Sequence, residues 1–311
     1  MNFMYLYLPV ALTSINLLIP VGLGLAVGLL SGLFGVGGGF LMTPLLIMFG
    51  IPSSVAAATD SNQIVAASTS GTYAHWKVGN VDFKMGLYLL IGGFIGGLAG
   101  VQVIKILKAT GNVDFVIKMT YVIMLGIIGT YMFVESLQSM KKAKNQSQES
   151  GVKSQESGLT RFLKALPFQT RFEKSGVTHS LLVPLVFGVF VGVLAALMGV
   201  GGGFIMVPVM VYILRMPMHV VVGTSLFQIL FNCIEVTFLQ AYTNHNVDFI
   251  LAILLLFGST IGAQVGTKFG RKLKADQLKI ILAGIVLVVT VKIIFELTLT
   301  PSLLLAQGGG H

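Results

Sequence analysis

Two short polar runs in an otherwise apolar chain hold most of the side chains able to do chemistry. One is Thr59-Asp60-Ser61-Asn62-Gln63; the other spreads over Thr224, Ser225, Gln228 and Asn232. Hydroxyls and amides are neutral donors that can hold an oxyanion without a net charge. Within a membrane such groups are costly unless they face a cavity or a partner. Thr59, Asn62, Gln63, Thr224, Ser225, Gln228 and Asn232 are therefore the expected substrate ligands, with hydrogen bonding between helices as the competing reading. Asp60 and Glu235 are the deepest carboxylates. A carboxylate repels a neighbouring anion unless it carries a proton or meets a cation, so both are proton-coupling candidates, Asp60 first. The alternative for each is a structural carboxylate bonded to a hydroxyl or to backbone.

Backbone supplies a further set of donors. FGVGGGF (34–40) recurs as MGVGGGF (198–204). Glycine is the worst ordinary residue for a helix interior, by roughly 1 kcal/mol against alanine. Such a run breaks a helix, and the next helix starts with free N–H groups and about half a positive charge. Gly37, Gly38 and Gly39, with Gly201, Gly202 and Gly203, are expected to present those N–H groups to an anion. The competing role is tight helix packing.

Other chemistries lack their residues. The glycines have neither the Lys-Ser/Thr nor the strand context of a phosphate loop. No His-Glu-x-x-His run or paired ligand spacing occurs, so no metal, cofactor or enzymatic activity is expected. The single cysteine, Cys233, excludes an intrachain disulfide. Trp76 reads as an interfacial anchor and His75 as a polar interface residue. His311, in the closing QGGGH, is assigned no role.

The elements that must position these residues are membrane helices. The chain has 311 residues, 55% hydrophobic and 10% charged, against about 25% charged in a soluble domain. The net charge of +9 reads as positively charged cytoplasmic loops rather than as a nucleic-acid surface. The N-terminus lacks the basic region of a signal peptide and is read as uncleaved.

The chain is also duplicated. The glycine runs align, as do Pro44 with Pro208, ATDSNQ (58–63) with GTSLFQ (223–228), and NVDF at 80–83 with NVDF at 246–249. Gly92, Gly96 and Gly100 align with Gly258, Gly262 and Gly266, a close-packing face expected to hold each helix against its repeat counterpart. The expected organisation is an N-terminal transmembrane repeat (1–137), a basic, partly disordered cytoplasmic linker (138–178) and a C-terminal transmembrane repeat (179–311).

Spanning-length apolar runs occupy 54–76, 85–107, 113–135, 219–241, 249–269 and 277–297. The glycine segments, 17–49 and 181–213, would run about 50 Å as continuous helices, beyond the roughly 30 Å hydrocarbon core. If each crossed once, Lys and Arg would divide 11 inside to 9 outside; if each returned to its starting side, the division would be 16 to 4. The positive-inside rule selects the second topology. The expected fold is an all-α integral membrane protein of two inverted repeats. Each holds three transmembrane helices and a glycine-broken re-entrant helical hairpin, its tip near the midplane.

GLFGVGGGFLMTPLL (32–46), AALMGVGGGFIMVPV (195–209), VGTSLF (222–227) and the glycine-rich helices at 92–100 and 258–266 resemble the TauE/SafE family of sulfite exporters and sulfonate permeases. The resemblance implies a secondary transporter of sulfite, sulfoacetate or another small organosulfur anion. It would be multi-pass in the cytoplasmic membrane and act in export. An anion channel, or a proton-coupled uptake permease for another small anion, is the alternative. The implied partners are the anion and the lipid bilayer, not nucleic acid, with homodimerisation left open.

Overall fold

The computed structural model describes residues 5–34, 39–145, 167–270 and 275–299. The same order of elements occurs twice. The first half has β1 (Tyr5–Leu8), β2 (Thr13–Asn16), α1 (Leu18–Phe34), α2 (Gly39–Met48), α3 (Ser53–Lys77), α4 (Phe83–Ala109) and α5 (Val113–Asn145). The second has β3 (Gln169–Phe172), β4 (Val177–Ser180), α6 (Leu182–Met198), α7 (Gly203–Pro208), α8 (Met218–Leu239), α9 (Phe249–Gly270) and α10 (Ala275–Leu299). Pro208 lacks the N–H that an α-helical ladder needs, and the chain runs on from it as a π-helical turn, Val209–Ile213. A second π-helical turn, Gln240–Asn244, extends α8.

The chain is mostly helical, as expected, and its helices match the apolar runs. Among the described residues four are long and apolar enough to cross a membrane: α4, α5 as far as Tyr131, α8 with its π-helical turn, and α9 as far as Gly266. Large apolar side chains such as Leu87, Ile91, Ile95, Ile253 and Phe257 lie exposed along them, as a lipid solvent permits.

The two antiparallel β-hairpins were not expected. Their registers match, Tyr5 opposite Asn16 and Gln169 opposite Ser180. They extend the repeat on the N-terminal side of each first helix. The segment expected as a linker holds the end of α5 and the start of the second hairpin; residues 146–166 lie outside the described residues.

Packing exchanges partners between the halves. Gly92, Gly96 and Gly100 of α4 press on α6, not on the repeat counterpart α9. A Cβ on Gly96 would lie 2.1 Å from the Val189 carbonyl oxygen, and one on Gly100 would lie 2.7 Å from the Ala196 side chain. Gly258, Gly262 and Gly266 of α9 press likewise on Val21, Leu25 and Leu29 of α1. Numbers rise together in both pairs, so each pair is parallel. The counterparts α3 and α8 pack antiparallel: Gly71 meets Leu226, whereas Ile64 packs with Ile229 and Cys233. In α5 and α10, also antiparallel, Gly126 faces Thr290 and Gly129 faces Val286.

Candidate functional site

The second glycine run is a left-handed turn. Gly199, Gly201 and Gly202 have φ of +70°, +66° and +77°, a region that costs an L-residue about 1–2 kcal/mol. Gly199 ends α6, donating to the Ala195 carbonyl at 2.8 Å. A Cβ there would fall 2.0 Å from the Ala57 carbonyl oxygen of α3. The Gly202 carbonyl accepts from the N–H groups of Ile205 and Met206 at 3.1 and 2.8 Å. The N–H groups just before Ile205 therefore have no intrahelical acceptor. In the first run Gly39 opens α2; Gly37 and Gly38 lie outside the described residues.

The residues that follow the two glycine runs meet. Phe40 and Phe204, each the residue after its glycine run, stack face to face with centroids 4.4 Å apart and planes 9° from parallel. Helices α3 and α8 close over the glycines. A Cβ on Gly39 would lie 2.2 Å from Ile64 Cδ1, one on Gly203 2.2 Å from Ile229 Cδ1, and one on Gly201 2.5 Å from Cys233 Sγ. The absent side chains leave room for these three residues, so an anion reaching this backbone must displace Ile64 and Ile229. Tyr121 of α5 donates to the Met198 carbonyl at the end of α6.

The polar runs divide into satisfied and unsatisfied groups. Ser61 Oγ donates to the carbonyls of Ala57 and Gly199, both at 3.2 Å. Ser225 Oγ donates within its own helix to Val222 at 3.1 Å, and Asn62 is half-buried. Asp60 is fully buried; its Oδ2 accepts from Thr43 Oγ1 at 2.9 Å, and Oδ1 has no partner among the described residues. Gln63 Oε1, both amide atoms of Gln228 and of Asn232, and both oxygens of Glu235 are also buried without a partner among the described residues. Asn232 and Glu235 face α4, against Gly93 and Gly97. No Lys or Arg occurs in α8, and α3 has one only at its last residue, Lys77. A buried polar atom left unpaired costs about 1–3 kcal/mol. Water or a ligand is the usual remedy, and here a ligand would meet neutral amides and two carboxylates.

Thr59 and Thr224 hold a different structure together. Thr224 Oγ1 accepts from the Asp82 N–H at 3.0 Å, and Thr59 Oγ1 accepts from the Asp248 N–H at 3.1 Å. Asp82 caps α4 through the Met85 N–H at 3.0 Å, and Asp248 caps α9 through the Leu251 N–H at 3.1 Å. The second oxygen of each binds a hairpin turn of the other half. Asp82 Oδ2 accepts from Ser175 N–H at 3.1 Å and Ser175 Oγ at 2.5 Å. Asp248 Oδ2 accepts from the N–H groups of Val10 and Ala11 at 3.1 and 3.4 Å. The signal for both locks was the repeated NVDF, read from sequence only as an alignment mark. Among the described residues, no group of three His, Cys, Asp or Glu could hold a metal ion.

A family model described as sulfite exporter TauE/SafE matches residues 21–293. The chain belongs to that family. It is similar to two Bacillus subtilis proteins. One is named probable membrane transporter protein YunE, 27% identical over 90% of this chain and 98% of the relative. The other is named probable membrane transporter protein YjnA, 29% identical over 88% and 97%. The sulfite exporter TauE/SafE family protein 1 of Arabidopsis thaliana is 34% identical over 29% of this chain and 20% of its own length. No solved structure matches. The chain is thus a multi-pass membrane transporter of the TauE/SafE family.

Proposed function

We propose that the chain is a secondary transporter, not an enzyme, that exports a small organosulfur anion, sulfite or a sulfonate such as sulfoacetate, across the cytoplasmic membrane. The anion binds where the two glycine breaks meet. Backbone N–H groups ahead of α2 and α7 hold it, with Gln63, Gln228 and Asn232 as neutral side-chain donors. The observation that carries this reading is the Phe40–Phe204 stack, which brings together the helices that follow the two glycine runs, with buried amides of α8 that have no partner among the described residues.

The proposed topology is an inverted repeat with two re-entrant hairpins. Helix directions support it. The pairs α1/α9 and α4/α6 are parallel, and the counterparts α3 and α8 are antiparallel. On this topology the glycine breaks enter from opposite faces. The membrane potential, negative inside, adds about 2.3 kcal/mol per charge per 100 mV toward anion export, so export needs no coupled ion. The second reading, proton-coupled uptake, draws on Asp60 and Glu235, whose carboxylates have unpartnered oxygens and which can carry a proton with the substrate.

The test is flux into and out of proteoliposomes with sulfite, sulfoacetate, taurine, thiosulfate and sulfate, with and without a pH gradient. Export of sulfite or a sulfonate that saturates and follows the potential is expected; a preference for sulfate alone would refute the substrate class. Asp60→Asn decides the coupling. Loss of a pH-driven component supports proton carriage, and an unchanged one removes Asp60 from that role.

A further inference from the structure

Between the β3–β4 hairpin and the α3–α4 loop lies a cavity of about 570 Å³, lined by Trp76, Phe83, Lys84, Arg171, Glu173 and Lys174 among others. Among the described residues, three basic groups line it, with the acids Glu173 and Asp82. The Asp82 carboxylate beside it is taken up by Ser175 and the α4 cap. Lys84 Nζ stands 5.8 Å above the Phe172 ring and donates to the Arg171 carbonyl at 3.4 Å, which keeps it at the wall.

The repeat supplies an internal control. The first hairpin has the same strand lengths and register and docks on Asp248 in the same way. Where the second has Arg171, Glu173 and Lys174, it has Tyr7, Pro9 and Val10, and Ile250 stands in the place of Lys84. Docking a hairpin on an aspartate cap therefore needs none of these charges. A concave basic surface also concentrates its field on one spot, which scattered loop lysines do not.

An aromatic track leads away from the cavity. Trp76 meets Phe83 edge to face at 6.2 Å, Phe83 meets Phe227 at 5.3 Å, and Phe227 meets Phe231 at 5.1 Å. Trp76, Phe83 and Phe231 are exposed. The track runs from the first residue of α4 to the middle of α8. A small soluble anion would use only the basic cavity. A ligand with an anionic head and long apolar tails would use both.

We infer that this cavity binds the headgroup of an anionic phospholipid, held by Lys84, Arg171 and Lys174, with an acyl chain along Phe83, Phe227 and Phe231. The site rests on the proposed topology only for its position at the cytoplasmic leaflet, where such lipids would meet it. Binding in detergent does not depend on which face is cytoplasmic, so its failure would leave the transport reading intact.

The test is native mass spectrometry of the full chain in detergent, titrated with phosphatidylglycerol, cardiolipin or phosphatidylcholine. The anionic lipids should bind tighter than phosphatidylcholine. K84Q/R171Q/K174Q should weaken them about a hundredfold, from roughly fivefold per basic residue. R171Q/K174Q, which leaves the wall residue Lys84 in place, should lose about twenty-five-fold on the same scale, and K84R/K174R should keep most of the binding. Thermal unfolding without lipid checks that the variants fold. Equal binding of anionic and zwitterionic lipid, or full retention by the folded double variant, would overturn the site. So would displacement of the lipid by millimolar sulfite or phosphate, which would mark the cavity as a vestibule for small anions.

Discussion

The two hairpin locks have one geometry and two chemistries. At each, an aspartate caps the helix that follows it, donates its own N–H to a threonine of the opposite half, and receives a hairpin turn on its second oxygen. On Asp82 the turn supplies a serine hydroxyl and is flanked by charged residues; on Asp248 it supplies backbone alone and is uncharged. What recurs, the aspartate and the threonine, is what the fold needs to clamp its halves. What differs is free to serve the surface that each hairpin faces. The centre diverges too: Asp60, bonded to Thr43, stands where the second half has Ser225, bonded within its own helix.

The comparison breaks first at the aspartates. Asp82→Ala and Asp248→Ala should each cost about 2–4 kcal/mol, a lost cap plus charge-assisted bonds to the hairpin. Chemical unfolding in detergent measures this, and a large loss for one with none for the other would end the equivalence. Next come the threonines. Thr59→Val and Thr224→Val each remove the acceptor of one buried N–H, and should cost alike, about 1–3 kcal/mol. If they instead abolish flux with stability unchanged, their role is substrate contact. The smallest effect concerns the turns themselves. Leu12 sits at φ +51° where the other hairpin has Gly176 at +66°. Leu12→Gly relieves about 1–2 kcal/mol of strain and loses about 0.5–1 to chain entropy, a net gain of about 0.5 kcal/mol. Gly176→Leu should lose a similar amount; the midpoints of the two unfolding curves decide.

Much of the frame was legible in one dimension. Apolar helices need only local length and composition, so α3, α4, α8, α9 and α10 fall within two residues of the apolar runs read for them, and α5 continues past its run; among the described residues α3 and α10 do not reach the length and apolarity of the four spanning helices. A glycine run breaks a helix, and the second run does so: α6 ends before Gly199 and the next helix starts at Gly203; most of the first run lies outside the described residues. Polar residues at buried positions mark themselves, and Asp60, Gln63, Gln228 and Asn232 are all buried. The hairpins were less legible: each strand has only four residues, too few for a period of two to stand out.

Which helix packs on which was beyond the sequence. The glycine ladder at 92–100 states that something comes close, and only the folded chain decides that α6 does so rather than α9. NVDF states that something is repeated, and only the fold reveals that each aspartate is bonded across to the opposite half. By itself the sequence determined the membrane character, the duplication, the break at Gly199–Gly203 and the polar residues, because each is a property of a local stretch meeting lipid or water. Tertiary structure alone decided the exchange of partners, the stacking of Phe40 on Phe204 and the filling of glycine space by Ile64 and Ile229. These depend on residues 25 or more positions apart, and on different helices, meeting at van der Waals distance, and no local pattern encodes such a meeting.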